Sequence, residues 1–267
     1  VYEHREDRPA SDIDVLVPQE SVDIALSALL ASGWDHLYPF GRHGEAFIRD
    51  EGYNFPLITD DDLLCELHFR LWGVVPAGLV EELFDASTPD PSLGPTGRRL
   101  ALHHAFLVGA LHFWNMPWPR SLRGMWDLVR IARAAGNDLT GDVAHCAGRW
   151  GLHLPVLLSA AATASAWDDP ACTAVAEALR PDLGPGERAV FRRFVRSGER
   201  PLRLQHVVAA RLLAGRPSRS GLRAPFRRLW AHPGIVERAT PDKWPWWRRR
   251  VIFSFRAGAL EKKSGRK

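Results

Sequence analysis

Cysteine, methionine and tyrosine are scarce in this chain, with three, two and three residues among 267. Cys65, Cys146 and Cys172 are odd in number, far apart and form no Cys-x-x-Cys pair. That excludes a disulfide framework or a zinc knuckle as the organising device and points to a reducing, cytoplasmic setting. No apolar stretch approaches the roughly 18–20 residues of a spanning helix; the best candidate, residues 154–166, is short and rich in Ala, Ser and Thr. The first residues, Val1 to Arg5, lack the hydrophobic core of a signal peptide. A Walker A loop, a Gly-x-Gly-x-x-Gly fingerprint and a nucleophile elbow are missing as well. Glycine itself does not occur before Gly33.

What is present describes a folded protein. Hydrophobic residues make up 46% and charged residues 25%, enough to bury a core and too apolar for disorder throughout. The net charge of +4 conceals an asymmetry. Residues 223–267 hold 13 Lys/Arg against Glu237, Asp242 and Glu261, whereas residues 1–222 hold 22 basic and 28 acidic groups. The basic character belongs to the tail and does not make the whole chain a nucleic-acid binder. Lys243-Trp-Pro-Trp-Trp-Arg-Arg-Arg250 could stack on nucleic-acid bases, rest on anionic lipid or attract an acidic peptide. The blander expectation has the tryptophans packed on helices and the arginines in solvent.

Periodicity predicts an α+β chain: a small mixed-sheet α/β domain over 1–88, then a mainly helical domain over 97–267. Residues 12–17 read as a strand that enters a core and stops at Pro18. Residues 21–31 read as a helix closed by Gly33. Residues 45–49 and 53–58 read as a hairpin around 50–52, and 63–71 as a further strand. In that last strand Leu63, Cys65, Leu67 and Phe69 share one face, and Glu66, His68 and Arg70 the other. A linker containing Pro89, Pro91, Gly94, Pro95 and Gly97 follows. Helical spacing then recurs over 98–114, 121–135, 139–150, 155–166, 171–179, 187–197 and 202–214.

Asp12 and Asp14 carry the chemistry. Two residues apart on a strand, their carboxylates leave the same face and repel. A divalent cation relieves that repulsion, and Mg²⁺ favours one or two carboxylates together with substrate phosphates. Glu66, on the polar face of its strand, suits a third carboxylate of a two-metal site for phosphoryl chemistry. Spacing alone leaves a solvated strand edge open. His103, His104 and His112 lie on one expected helix without a metal-binding signature and read as packing residues. Asp60, Asp61 and Asp62 read as a solvated turn, and Asp127 as a residue of a cleft or of a helix contact.

Several of these segments occur together in one known family. Arg8-Pro-Ala-Ser-Asp12-Ile-Asp14-Val-Leu-Val-Pro, a helix ending in Ser-Gly-Trp34, and Cys65-Glu66-Leu-His68-Phe-Arg70-Leu stand in order. Leu102-His103-His104 with His112, then Trp126-Asp127-Leu128, follow, and Pro241 with Trp244-Pro245 lies near the end. Together they resemble the bacterial uncharacterised nucleotidyltransferase family of the DNA-polymerase-β-like superfamily. The resemblance implies that Asp12, Asp14 and Glu66 are catalytic and bind Mg²⁺ or Mn²⁺. It implies transfer of a nucleoside monophosphate from an NTP such as ATP to an acceptor, a small molecule, peptide or protein, with release of pyrophosphate. Arg8 would contact phosphate, and His68 and Arg70 would line the nucleotide pocket. The superfamily also places a glycine turn upstream of Asp-x-Asp, where backbone N–H groups hold the triphosphate. With no glycine ahead of Asp12, a start truncated at Val1 is one expectation. The other is a non-catalytic protein of this fold that binds a nucleotide, peptide or protein partner.

Overall fold

The computed structural model describes residues 12–37, 45, 48–49, 52–71, 75, 78–115 and 122–196. The chain is α+β. A mixed sheet with its helical segments lies N-terminal to a long series of helices. Two compact units divide at 73/74, so the helix and short ribbon before residue 100 go with the helical unit.

In the first unit β1 (Ile13–Leu16), α1 (Val22–Ala31), β2 (Asp35–His36), β3 (Asn54–Ile58) and β4 (Leu64–His68) follow in order. The sheet runs β1-β4-β3-β2, with β1 parallel to β4 and the other neighbours antiparallel. The alternation expected for residues 63–71 holds from Cys65 on, but Leu63 lies ahead of the strand and is 46% exposed instead of sharing the buried face. Cys65, Leu67 and Phe69 are buried with Phe55 and Leu57 of β3, beneath Val22 and Leu26 of α1. Val22 and Leu26 are four apart and therefore share the helix face that meets the sheet. Gly33, at φ +90°, ends α1 in the left-handed conformation, while the Ser32 and Trp34 N–H groups take up late carbonyls of the helix. The turn into β4 is held by Thr59: its N–H donates to Leu63 O, and its hydroxyl accepts from Leu63 N at 3.2 Å. Asp60, Asp61 and Asp62 are exposed there, Asp62 at φ 61°.

Two other expectations are overturned. β1 does not enter a core: Ile13 is 44% and Val15 37% exposed, and Leu16 is only partly buried, because the sheet's packed side is formed by β3, β4 and α1. Residues 45, 48 and 49 are helical, not the first strand of a hairpin. Glu45 and Arg49 stand at the i, i+4 spacing of a helix and are ion-paired at 2.8 Å, while Arg49 also pairs with Asp23 of α1. The partner strand of β3 on that side is β2 instead.

The second unit begins with α2 (Gly78–Asp85) and a ribbon of β5 (Thr88–Pro89) and β6 (Arg98–Arg99). The breaker-rich stretch between them is the turn of this ribbon, where Asp90 accepts from Ser92 N at 3.1 Å. Among the described residues six helices follow: α3 (Leu102–Asn115), α4 (Leu122–Ala135), α5 (Leu139–Trp150), α6 (His153–Trp167), α7 (Pro170–Leu179) and α8 (Pro185–Arg196). Each begins within four residues of its expected start. The segment 202–214 lies outside the described residues. α6 is apolar on all sides and becomes the centre of the unit, with residues 154–160 all buried. Its one buried hydroxyl in that run, on Ser159, lies 2.7 Å from Ala110 O and 2.9 Å from Pro155 O. Among the described residues no helix is long and apolar enough to cross a membrane.

Candidate functional site

The parallel pairing of β1 with β4 sets Asp14 opposite Glu66 and Leu16 opposite His68. Residues in register share a pleat, and His68 follows Glu66 by two, so Asp14, Glu66 and His68 emerge on one face. The opposite face of β4 supplies Cys65 and Leu67 to the core. Alternation thus sorts this strand into a packing side and a chemical side.

On the chemical side His68 holds the two carboxylates. Its Nε2 lies 3.0 Å from Asp14 Oδ1 and 3.2 Å from Glu66 Oε2. The imidazole is 5% exposed, with the Tyr53 ring stacked on it at 5.7 Å. The carboxylate side chains remain open to solvent, 49% for Asp14 and 37% for Glu66. Burial opposes a charge on His68, but the hydrogen bonds to Asp14 and Glu66 outweigh it and raise its pKa to about 9. At neutral pH the group is an imidazolium between two carboxylates. Burial, followed by the charges of Asp14 and Glu66, pushes the neighbouring Cys65 thiol up, so it stays protonated.

One donor atom each from Asp14, Glu66 and His68 lies within 4.8 Å of the others. Asp12 is half-buried just ahead of β1, and its carboxylate does not belong to that set. Arg70 follows β4; its Nε donates to Gln19 Oε1 at 3.3 Å and its guanidinium lies 5.3 Å from the Phe69 ring. Arg8 lies outside the described residues. The two oxygen donors fit a hard divalent cation, being in register, solvent-facing and close enough to share an ion. His68 Nε2 could join them as a ligand only in its neutral form.

A second polar cluster, in the helical unit, is not marked by any motif. Glu82 of α2 receives four donors. His104 Nε2 at 3.2 Å and Cys146 Sγ at 3.5 Å reach Oε1, and Trp150 Nε1 at 3.1 Å and Arg149 Nη1 at 2.9 Å reach Oε2. Trp150 gets there because Gly78 has no side chain: a Cβ would sit 2.8 Å from the indole. Burial works against the Glu82 charge, but the donors, His104 first, lower its pKa overall. Burial, then Glu82, pushes the Cys146 thiol up to about 12. The arrangement ties α2, α3 and α5 together. Its only signal in the sequence is position: Glu82 is three residues after Leu79 and one before Leu83, on the buried arc of α2. His104 fits the packing expectation, being 2% exposed within this cluster.

Trp126 of the Trp126-Asp127 pair packs against Trp167 in a tilted arrangement, ring centroids 4.9 Å apart, and Arg133 lies 5.9 Å from the Trp126 ring. Arg133 Nε also pairs at 3.0 Å with Asp169, which is 1% exposed and caps α7 by accepting from Cys172 N at 2.9 Å.

Comparison with curated proteins and with solved structures finds no match. A family model described as "Uncharacterised nucleotidyltransferase" matches residues 1–168, well over half of the chain and all of β1 to β4. The chain therefore belongs to the uncharacterised nucleotidyltransferase family.

Proposed function

We propose that the sheet unit binds an NTP with Mg²⁺ or Mn²⁺ and transfers its nucleoside monophosphate to a small-molecule, peptide or protein acceptor. The observation that carries this reading is the in-register pairing of Asp14 with Glu66 on the solvent-facing side of parallel strands. In the transfer an acceptor oxygen or nitrogen bonds to the α-phosphorus, the bond to the bridging oxygen breaks, and pyrophosphate leaves. Asp14 and Glu66 would hold the divalent cation, with Asp12 approaching from the start of β1. Bound there, the cation would neutralise phosphate charge and favour the attacking oxygen. Arg8 and Arg70 would contact phosphate oxygens.

His68 has a role of its own. While charged it offsets one of the two negative charges of Asp14 and Glu66 and keeps the carboxylates in position. A cation entering the site must take over that work, so binding releases a proton or turns the ring away. The same clamp supports a second reading, a protein of this fold that binds a nucleotide or partner without turnover, because the imidazolium already occupies the electrostatic niche.

Electron paramagnetic resonance of added Mn²⁺ separates the two. Cation transfer chemistry requires Mn²⁺ to bind wild-type protein, more tightly with an NTP present, and to bind at least tenfold more weakly in Asp14→Asn and Glu66→Gln. Free Mn²⁺ in every sample, with and without NTP, would leave the binding-only reading in its place.

A further inference from the structure

We propose that the outer face of α8 is a docking surface for the phosphate backbone of nucleic acid. The inference is independent of the nucleotide site. It begins with where charge falls on one helix. Phe194 is the buried residue of α8, and Arg188, Arg192 and Arg196 recur at i, i+4 and i+8 on the arc facing away from it. All three are exposed, as is Arg193 beside them. The helix has one acidic residue, Glu187, which is set toward the packed side and accepts from Gly184 N at 2.8 Å. Among the described residues no carboxylate pairs with the row. A positive charge in the last turn suits the helix dipole and gives Arg193 and Arg196 a local reason to be there. Arg188 and Arg192 have no such reason.

The surrounding sequence has the same sign. Residues 185–267 hold 22 Lys/Arg against 5 Asp/Glu, while residues 1–184 hold 13 against 26. α8 therefore opens a strongly basic segment in a chain that is otherwise acidic. Successive arginines of the row rise by about 6 Å, and their flexible stems can follow a phosphate backbone without reading bases. An anionic membrane is the weaker fit. Helices that lie in a membrane interface bury an apolar face, and the apolar face of α8 is already used by Phe194 within the helical unit, leaving Val195 as its exposed large apolar residue.

The test is fluorescence anisotropy of a labelled single-stranded RNA of mixed sequence with the full chain, between about 50 and 200 mM salt. Wild type is expected to bind with steep salt dependence. In Arg188→Gln/Arg192→Gln/Arg196→Gln the log–log slope should shrink by about 2, from roughly 0.7 per lost phosphate contact. The corresponding triple Lys variant should keep the wild-type slope, which separates lost charge from a lost fold. Absence of RNA binding, an equal slope in the Gln variant, or binding to phosphatidylserine vesicles but not to RNA would each overturn the proposal.

Discussion

His68 Nε2 sits between Asp14 Oδ1 and Glu66 Oε2, 3.0 and 3.2 Å away, so one imidazole bridges carboxylates from two parallel strands. Asp14 and Glu66 are opposite each other in register, and two like charges so placed repel unless a positive charge lies between them. In the protein alone His68 supplies that charge. With a nucleotide bound, a divalent cation would supply it.

The bridge makes His68 an unusual base. Its pKa is raised from 6.5 to about 9, so the stabilisation it provides is complete below about pH 6.5 and fades as pH rises through 9. A histidine-resolved NMR titration should show one imidazole with a midpoint near 9. Asp14→Asn should move that midpoint down toward the ordinary value by at least one unit. A His68 midpoint near 6.5 in the wild type would contradict the bridge.

The same proton should compete with a cation. Where His68 is charged, a cation bound between Asp14 and Glu66 must displace a proton, so affinity should rise about tenfold per pH unit below the raised pKa. Mn²⁺ titrations at pH 7 and 8 are expected to show this rise in the wild type. In His68→Gln the pH dependence should flatten, with tighter binding at pH 7 than in the wild type. Equal pH dependence in both proteins would show that His68 and the cation do not share the site.

Glu82 tests the integrity of the helical unit. Four donors converge on its carboxylate, and Glu82→Ala would leave His104, Trp150 and Arg149 without it. Removing one partner of such a cluster typically costs about 3 kcal/mol, so a clear drop in the denaturation midpoint is expected. Because the Glu82 pKa is lowered, its contribution is present above the ordinary carboxylate range and is lost as pH falls through the folded value. Wild type and Glu82→Ala should therefore converge in stability at acid pH. An unchanged midpoint at neutral pH would mean that the cluster does not hold α2, α3 and α5 together.

The cysteines should be silent. Cys65, Cys146 and Cys172 are all buried, and burial pushes each thiol pKa up, Cys146 to about 12. A thiol reagent at neutral pH should find none of the three in native protein and all three after denaturation. Rapid native reaction of even one would contradict this packing.

Much of the sheet unit was legible in the sequence because alternation in residues 64–68 is a local property. Cys65 and Leu67 against Glu66 and His68 can be sorted with no knowledge of neighbours. The register of Asp14 with Glu66 is not local, since it depends on which strands pair and on the offset between them. The same limit explains the misread segment at 45–49. Glu45, Ile48 and Arg49 allow both strand and helix in so short a stretch, and the ion pairs of Arg49 with Glu45 and Asp23 settle it as helix. The Glu82 cluster stayed hidden for another reason. Glu82, His104, Cys146 and Trp150 are spread over 69 residues and three helices, and only tertiary packing brings them together.

The most direct measurement is isothermal titration calorimetry of ATP, GTP, CTP and UTP, each with Mg²⁺, into the wild type and into Asp14→Asn and Glu66→Gln. Saturable, Mg²⁺-dependent binding of at least one NTP to the wild type is expected, weakened at least tenfold in both variants. No heat with any NTP, or equal affinity in all three proteins, would contradict a cation-dependent nucleotide site at Asp14 and Glu66.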